Sequence, residues 1–178
     1  MRIIFSASTV VATIAAVCLS AAPQHPAMPS GLTHEEHLAQ IEKEGALKAR
    51  GAAAMGFDQD MAVHHFRLTR SGGVIQVEAA SAGDETTRAA VGEHLRAIAS
   101  AFAAGDFAAP RATHDETPPG VATLERLRKT IAYRFVETPQ GGRVEIASSD
   151  RDAVAAIHEF LRYQIIEHHT GDRLTVGR

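Results

Sequence analysis

The pattern of apolar and polar positions from residue 62 onward predicts two β-hairpins, each followed by a helix. Apolar and polar residues alternate along each predicted strand, as in antiparallel strands with one buried face. The four predicted strands are residues 62–70, 74–80, 130–137 and 143–148. Gly72-Gly73 and Gly141-Gly142 are expected to lie in the hairpin turns. Helices with an apolar stripe are predicted from Asp84 to Ala104 and from Asp150 to His169.

The two hairpin–helix units are similar in sequence. Gly72-Gly73-Val74-Ile75-Gln76-Val77-Glu78 matches Gly141-Gly142-Arg143-Val144-Glu145-Ile146-Ala147, and five of eight residues are identical between 89–96 and 155–162. The second unit is three residues shorter where its last strand joins its helix. The chain therefore contains a predicted internal repeat, with repeat one at 62–106 and repeat two at 130–172.

A duplicated ββα unit predicts an α+β fold, in which a four-stranded antiparallel sheet carries helices on one face. Period-two alternation assigns Phe66, Leu68, Ile75, Val77, Tyr133, Phe135, Val144 and Ile146 to the covered face. The helices are expected to contribute Val91, Leu95, Ile98, Phe102, Ile157, Leu161 and Ile165. The opposite face would carry His65, Arg67, Glu78, Arg134, Arg143 and Glu145.

The remaining segments are expected to flank or link these units within one domain, 32–172. An N-terminal helix should begin after Thr33, which forms a capping box with Glu36, and end near Arg50. Residues 51–60 are expected to form a connector. A long loop at 108–121 and a short helix at 123–129 should lie between the repeats, and 173–178 would form a tail.

The first residues resemble a signal for export. Residues 1–22 combine Arg2, an apolar stretch and small residues at the end, which is typical of a secretory signal peptide, and the Pro-rich residues 23–31 would form a linker. A retained membrane anchor is the alternative. Cleavage would remove Cys18, the only cysteine, and leave a periplasmic or secreted protein with no stable insertion in a membrane.

Composition narrows the possible partners and draws attention to histidine. The chain of 178 residues has a formal charge of −3, so bulk electrostatic attraction to nucleic acid is not expected. It contains 10 histidines, all beyond residue 24. Because the mature protein would have no thiol, any metal site would depend on histidine and carboxylate ligands.

The repeat comparison singles out two of the histidines. His64 aligns with Tyr133, and His94 aligns with Phe160, so both histidines are expected to point inward, one from a strand and one from a helix. Buried imidazoles need partners because they lose their hydration. A metal ion, an organic ligand or haem, or a purely structural hydrogen-bond network would each supply them.

The metal hypothesis predicts a copper or zinc site, since neutral imidazole is a good ligand for both. His114 in the long loop, and Asp58 or Asp60 before the first strand, would complete the ligand set of His64 and His94. The expected role is binding or delivery. A metal-dependent hydrolase would also need an open coordination position and a carboxylate base. His168 and His169 are expected to stabilise the end of the last helix through its dipole.

A second hypothesis assigns the function to the open face of the sheet. His65, Arg67, Arg134 and Arg143 would then bind a partner protein in the periplasm, without a metal.

One further pattern resembles a known group of proteins. Met55-Gly56-Phe57-Asp58-Gln59-Asp60, His64-His65-Phe66, His114, Pro118-Pro119-Gly120-Val121 and Gly141-Gly142-Arg143-Val144 are similar to motifs of small exported bacterial proteins without an established activity. The resemblance covers residues 30 to 172. It implies an exported bacterial location, and no particular chemistry.

Overall fold

The computed structural model describes residues 33–177, and these residues form an α+β fold as predicted. The helices are α1 (His34–Met55), α2 (Glu85–Ala104), α3 (Ala108–His114), α4 (Val121–Arg126) and α5 (Arg151–Glu167). The strands are β1 (Ala62–Thr69), β2 (Gly72–Ala79), β3 (Ile131–Thr138) and β4 (Gly141–Ser148). The predicted signal peptide, the linker at 23–31 and Cys18 lie outside the described residues.

The four strands form one antiparallel sheet in the order β1-β2-β4-β3. Each hairpin has a two-residue turn, at 70–71 and 139–140, because Thr69 pairs with Gly72 and Thr138 with Gly141. The prediction that the glycine pairs form the turns is therefore wrong: they are the first residues of β2 and β4.

Close packing explains a glycine at the start of β2. A Cβ atom on Gly73 would lie 2.1 Å from Leu161 Cδ1 and 2.7 Å from the Arg67 carbonyl oxygen. A Cβ atom on the equivalent Gly142 would lie 2.6 Å from the ring of Phe135. Only glycine allows the helix side chain or the neighbouring ring to come this close to the strand.

The two long helices cover the sheet in a crossed arrangement. α2 packs mainly on β3 and β4, the strands of repeat two, and α5 packs on β1 and β2, the strands of repeat one. Each helix thus buries the hairpin of the other repeat. The apolar residues assigned to the covered face are buried as predicted, except that Tyr133 and Phe135 are half-buried.

The segments outside the repeats contain more helix than the sequence predicts. α1 continues to Met55 because Ala52, Ala53 and Ala54 favour helix, and it ends at Gly56 with a left-handed φ of 78°. The expected loop at 108–121 contains α3, which begins next to the buried Phe107. The expected helix at 123–129 is α4 followed by a 3-10 turn at Arg128–Thr130.

None of the helices within residues 33–177 is long and apolar enough to cross a membrane.

A pair of glycine substitutions tests the packing of α4 on α5. Gly120 has a φ of +84°, and its Cβ would lie 2.3 Å from the Ala156 carbonyl oxygen. We expect Gly120→Ala to lower the free energy of unfolding by about 2 to 4 kcal/mol, from backbone strain and displacement of α5. Gly92→Ala is the control, because Gly92 lies inside α2 with open space around it. It should raise stability by about 0.5 to 1 kcal/mol. Urea unfolding of both variants measures the difference, and equal effects would contradict the prediction.

Candidate functional site

Four histidines from four different elements line one cavity between the helices and the β1–β2 side of the sheet. They are His64 on β1, His94 on α2, His114 at the end of α3 and His168 directly after α5. The cavity has a volume of about 70 Å³, which is enough for a metal ion with water or for a very small organic molecule. The rest of its wall is mainly apolar, with Phe66, Val77, Leu95, Ile98, Phe102 and Phe160 among the lining residues. Of the residues predicted from the repeat comparison, His64 and His94 both reach this cavity.

His64 presents a ring nitrogen that has no partner. Its Nε2 atom is buried and makes no hydrogen bond within residues 33–177. In the tautomer that is protonated on Nδ1, Nε2 carries the lone pair. His64 then offers a free lone pair in a buried position.

His114 also has one ring nitrogen without a partner, and its other nitrogen has a side-chain partner. Its Nε2 atom lies 3.1 Å from Gln164 Oε1. Because an amide oxygen accepts, His114 Nε2 donates and Nδ1 carries the lone pair. Nδ1 is buried and has no partner among the described residues, and the same is true of Gln164 Nε2. The prediction that His114 lies near His64 and His94 agrees with their shared cavity.

His168 also lines the cavity, although its position at the end of the last helix predicts a role as a cation there. Its ring lies near those of both His64 and His114, at centroid distances of 5.8 and 5.2 Å. Comparison of the two repeats identifies His168 as a residue that points into the core. The offset of 66 residues that pairs His94 with Phe160 also pairs His168 with Phe102, which is buried.

Three cavity histidines thus occupy positions where the other repeat has an aromatic residue. The equivalents of His64, His94 and His168 are Tyr133, Phe160 and Phe102. Phe102 contacts both others, with ring centroids 5.9 Å from Tyr133 and 5.9 Å from Phe160. One set of equivalent positions therefore forms an aromatic cluster and the other set is histidine. The two sets adjoin, because Phe102 and Phe160 also line the histidine cavity.

Burial keeps these histidines neutral at pH 7. It is the main cause that lowers the pKa of His64 to about 4, with smaller contributions from His94 and His65. Burial also lowers the pKa of His94 to about 4. It lowers the pKa of His168 to about 3, helped by His64 and His114, and lowers the pKa of His114. Each ring is consequently available as a neutral ligand without first losing a proton.

The separations of the histidine rings resemble those in a metal site, but the orientations of the rings do not. Two imidazoles on one zinc ion, with bonds of about 2.0 to 2.1 Å, place their ring centroids roughly 5 to 6 Å apart. The separations of His168 from His64 and His114 fall in this range. However, the planes of His64 and His168 are within 7° of parallel, so one ring must turn before both can bind the same ion. Within residues 33–177, no three His, Cys, Asp or Glu side chains form a group ready to hold a metal.

The carboxylates proposed as ligands lie elsewhere. Asp58 is exposed and accepts a hydrogen bond from the Asp60 amide, which caps the 3-10 turn at Gln59–Met61. Asp60 forms an ion pair with Lys48 at 2.7 Å. Neither lines the histidine cavity. The expectation that Asp58 joins the histidines is not supported by its position, because the capping contact holds its carboxylate at the surface.

The residues predicted to bind a partner are largely paired with their neighbours. Arg134 and Arg143 both contact Glu145 on the open face. Arg67 donates to the Gln76 side-chain oxygen. His65 Nδ1 lies 3.1 Å from Asp172 Oδ1. The structure therefore places these side chains on the uncovered face or its edge, and partner binding there stays a prediction.

His158 and His169 have local contacts outside the cavity. His158 Nε2 lies 2.9 Å from the Thr69 carbonyl oxygen and 3.0 Å from that of Gly72, so it ties α5 to the first hairpin turn. His169 is exposed, 3.5 Å from Glu44 Oε1. The exposed His169 next to the half-buried His168 provides a natural control for experiments on the cavity.

Comparisons of the chain with protein-family models, curated proteins and solved structures found no significant match. The function must therefore be argued from the cavity itself.

Proposed function

We propose that this protein binds a single transition-metal ion, copper or zinc, in the histidine cavity, and that it carries or delivers the ion without catalysing a reaction. His64 and His114 would be the first two ligands, and His168 or His94 would supply a third. Following the export signal expected from the sequence, this would take place in the periplasm or outside the cell.

The observation that carries the proposal is that His64 and His114 each have one buried ring nitrogen without a partner in the described chain. In His114 the other nitrogen is held by the Gln164 side-chain oxygen. Histidines that bind metals usually donate their second ring N–H to such an oxygen, which fixes the ring and makes the free nitrogen more basic. A buried lone pair without a partner is costly, and a metal ion would satisfy it.

The chemistry of the donors favours copper or zinc. Neutral imidazole suits both ions, whereas magnesium and calcium prefer oxygen ligands. Catalytic zinc sites pair the ion with a nearby base, whereas Glu167 and Glu116 affect His114 only through their charge and do not line the cavity. Because Asp58 and Asp60 are engaged at the surface, binding without catalysis is the simpler role.

Metal titration of the purified protein tests the proposal. We expect one Zn²⁺ or Cu ion per chain with a dissociation constant well below micromolar, measured by competition with a chromophoric chelator. His64→Phe and His114→Phe should each weaken binding by 100-fold or more, because each removes a ligand. X-ray absorption at the metal edge should show at least two imidazole ligands.

His169→Gln is the matched control, since it removes an exposed histidine next to the cavity and should leave affinity unchanged. The proposal fails if neither ion binds more tightly than micromolar. It also fails if the His64→Phe/His114→Phe double variant, folded according to its circular dichroism, binds as tightly as the original protein.

A further inference from the structure

A second cavity lies beside β1, between the first hairpin and the C-terminal segment. After α5 the chain returns along the free edge of β1, where Asp172 Oδ2 accepts from the Phe66 amide at 2.9 Å. Five residues later the Gly177 amide donates to the Leu68 carbonyl at 3.3 Å. Two strand residues span only about 7 Å, so the segment between these anchors must bow away from β1.

Contacts with α5 and with the core hold the curved segment in place. Arg162 Nε on α5 donates to the Leu174 carbonyl at 2.9 Å, and Val176 packs against the core. The space between the bow and β1 measures about 700 Å³, within the range of pockets that hold small organic ligands. We call it the arginine groove, after the three arginines that line it: Arg67, Arg70 and Arg173.

The arginine groove has an excess of positive charge. Its single acidic lining residue, Asp172, already has both oxygens engaged, one by His65 and one by the Phe66 amide. Arg70 and Arg173 form no ion pair or side-chain hydrogen bond within residues 33–177, and Arg67 bonds only the neutral Gln76 amide. This contrasts with Arg134 and Arg143 on the same face of the sheet, which share Glu145.

We propose that the arginine groove binds a small polyanion, a molecule with two or more carboxylate or phosphate groups. The guanidinium group matches both anions through paired N–H donors, and the three arginines surround one space. The hydroxyl groups of Thr69 and Thr175, which also line it, would provide neutral donors. This site does not depend on the histidine cavity or on a bound metal.

Isothermal titration with citrate and with pyrophosphate tests the proposal, using protein freed of metal at low ionic strength. We expect at least one of the two to bind at sub-millimolar concentration, and binding to weaken as salt increases. Arg70→Gln/Arg173→Gln should reduce the affinity at least tenfold. Both residues are exposed, so this variant should fold normally.

Arg126→Gln is the control, since Arg126 is an exposed arginine on α4 outside the groove, and it should leave binding unchanged. Binding of citrate alone would identify the ligand class as carboxylate, and binding of pyrophosphate alone as phosphate. The proposal is overturned if neither probe binds, or if the double variant binds them as the original does. Metal affinity should be the same in the double variant, which separates this outcome from any failure of the histidine site.

Discussion

Replacing His64, His94 and His168 together by phenylalanine is expected to make the protein more stable while it loses its metal site. The variant gives the first half of the core the aromatic character that Tyr133, Phe160 and Phe102 already give the second half. Phenylalanine has no ring nitrogen to leave unpaired, and an unpartnered buried polar group costs about 1 to 3 kcal/mol. The cavity of about 70 Å³ provides room for the larger rings.

We expect the free energy of unfolding at pH 7 to rise by about 1 to 3 kcal/mol, because the buried unpartnered nitrogen of His64 is removed and three half-buried imidazoles become apolar rings. Urea unfolding measures this increase, provided that the dependence of the free energy of unfolding on urea concentration is the same in both proteins. His169→Phe, at the surface, should change stability by less than about 0.5 kcal/mol. A triple variant less stable than the original by more than about 1 kcal/mol would show that the histidines are kept for packing. A triple variant that is more stable but no longer binds metal would show that the histidines are kept for function at a cost in stability.

The crossed packing of the helices explains how a duplicated core can hold two different clusters. Because α5 covers the strands of repeat one, His168 comes next to His64 although they belong to different repeats. In the same way Phe102 on α2 comes next to Tyr133 on β3. Each cluster is therefore built from both repeats, so substitutions could accumulate in one cluster while the other maintained the core.

Much of the fold follows from the sequence, because alternation and helical periodicity are local signals. The strands, α2 and α5 are predicted to within a few residues, and the missing three residues before α5 appear as a shorter β4–α5 connection. The turns are misplaced because glycine is read as a turn residue. At Gly73 it is needed instead to let Leu161 approach the strand.

The cavity is only partly predictable for a different reason. His64 and His94 follow from comparison with aromatic residues in the other repeat, and the same comparison extended to Phe102 would include His168. His114 belongs to α3, a seven-residue helix with Pro110 in it and too short to show a periodic apolar stripe. The position of Asp58 depends on a capping contact, which adjacency to a strand does not reveal.

Acidification is expected to destabilise the protein steeply between about pH 6.5 and pH 4. An unfolded histidine has a pKa near 6.5, whereas burial lowers the pKa to about 4 for His64 and His94 and to about 3 for His168. In this interval the unfolded chain binds protons that the folded cavity excludes, so stability falls as pH falls. Above pH 6.5 both states are neutral and the effect is absent.

The size of the effect follows from one proton taken up by each histidine on unfolding, about 1.4 kcal/mol per pH unit. At pH 5 each of the three would cost about 2 kcal/mol, a large share of the stability of a typical domain. The Asp172 contacts to His65 and the Phe66 amide should be lost only at lower pH, because burial is outweighed by hydrogen bonds, which lower the pKa of that carboxylate.

Urea unfolding at pH 7, 6 and 5 tests this expectation, with the phenylalanine triple variant as control. The original protein should lose several kcal/mol across this range, and the triple variant should lose less than about a third as much, because its remaining titration comes from other groups. If the two proteins lose stability in parallel, the three histidines are not the buried neutral bases that the cavity requires. Bound zinc should raise the stability of the original protein alone and leave the slope in place, because metal-bound rings, like neutral rings, carry no extra proton while the unfolded chain does.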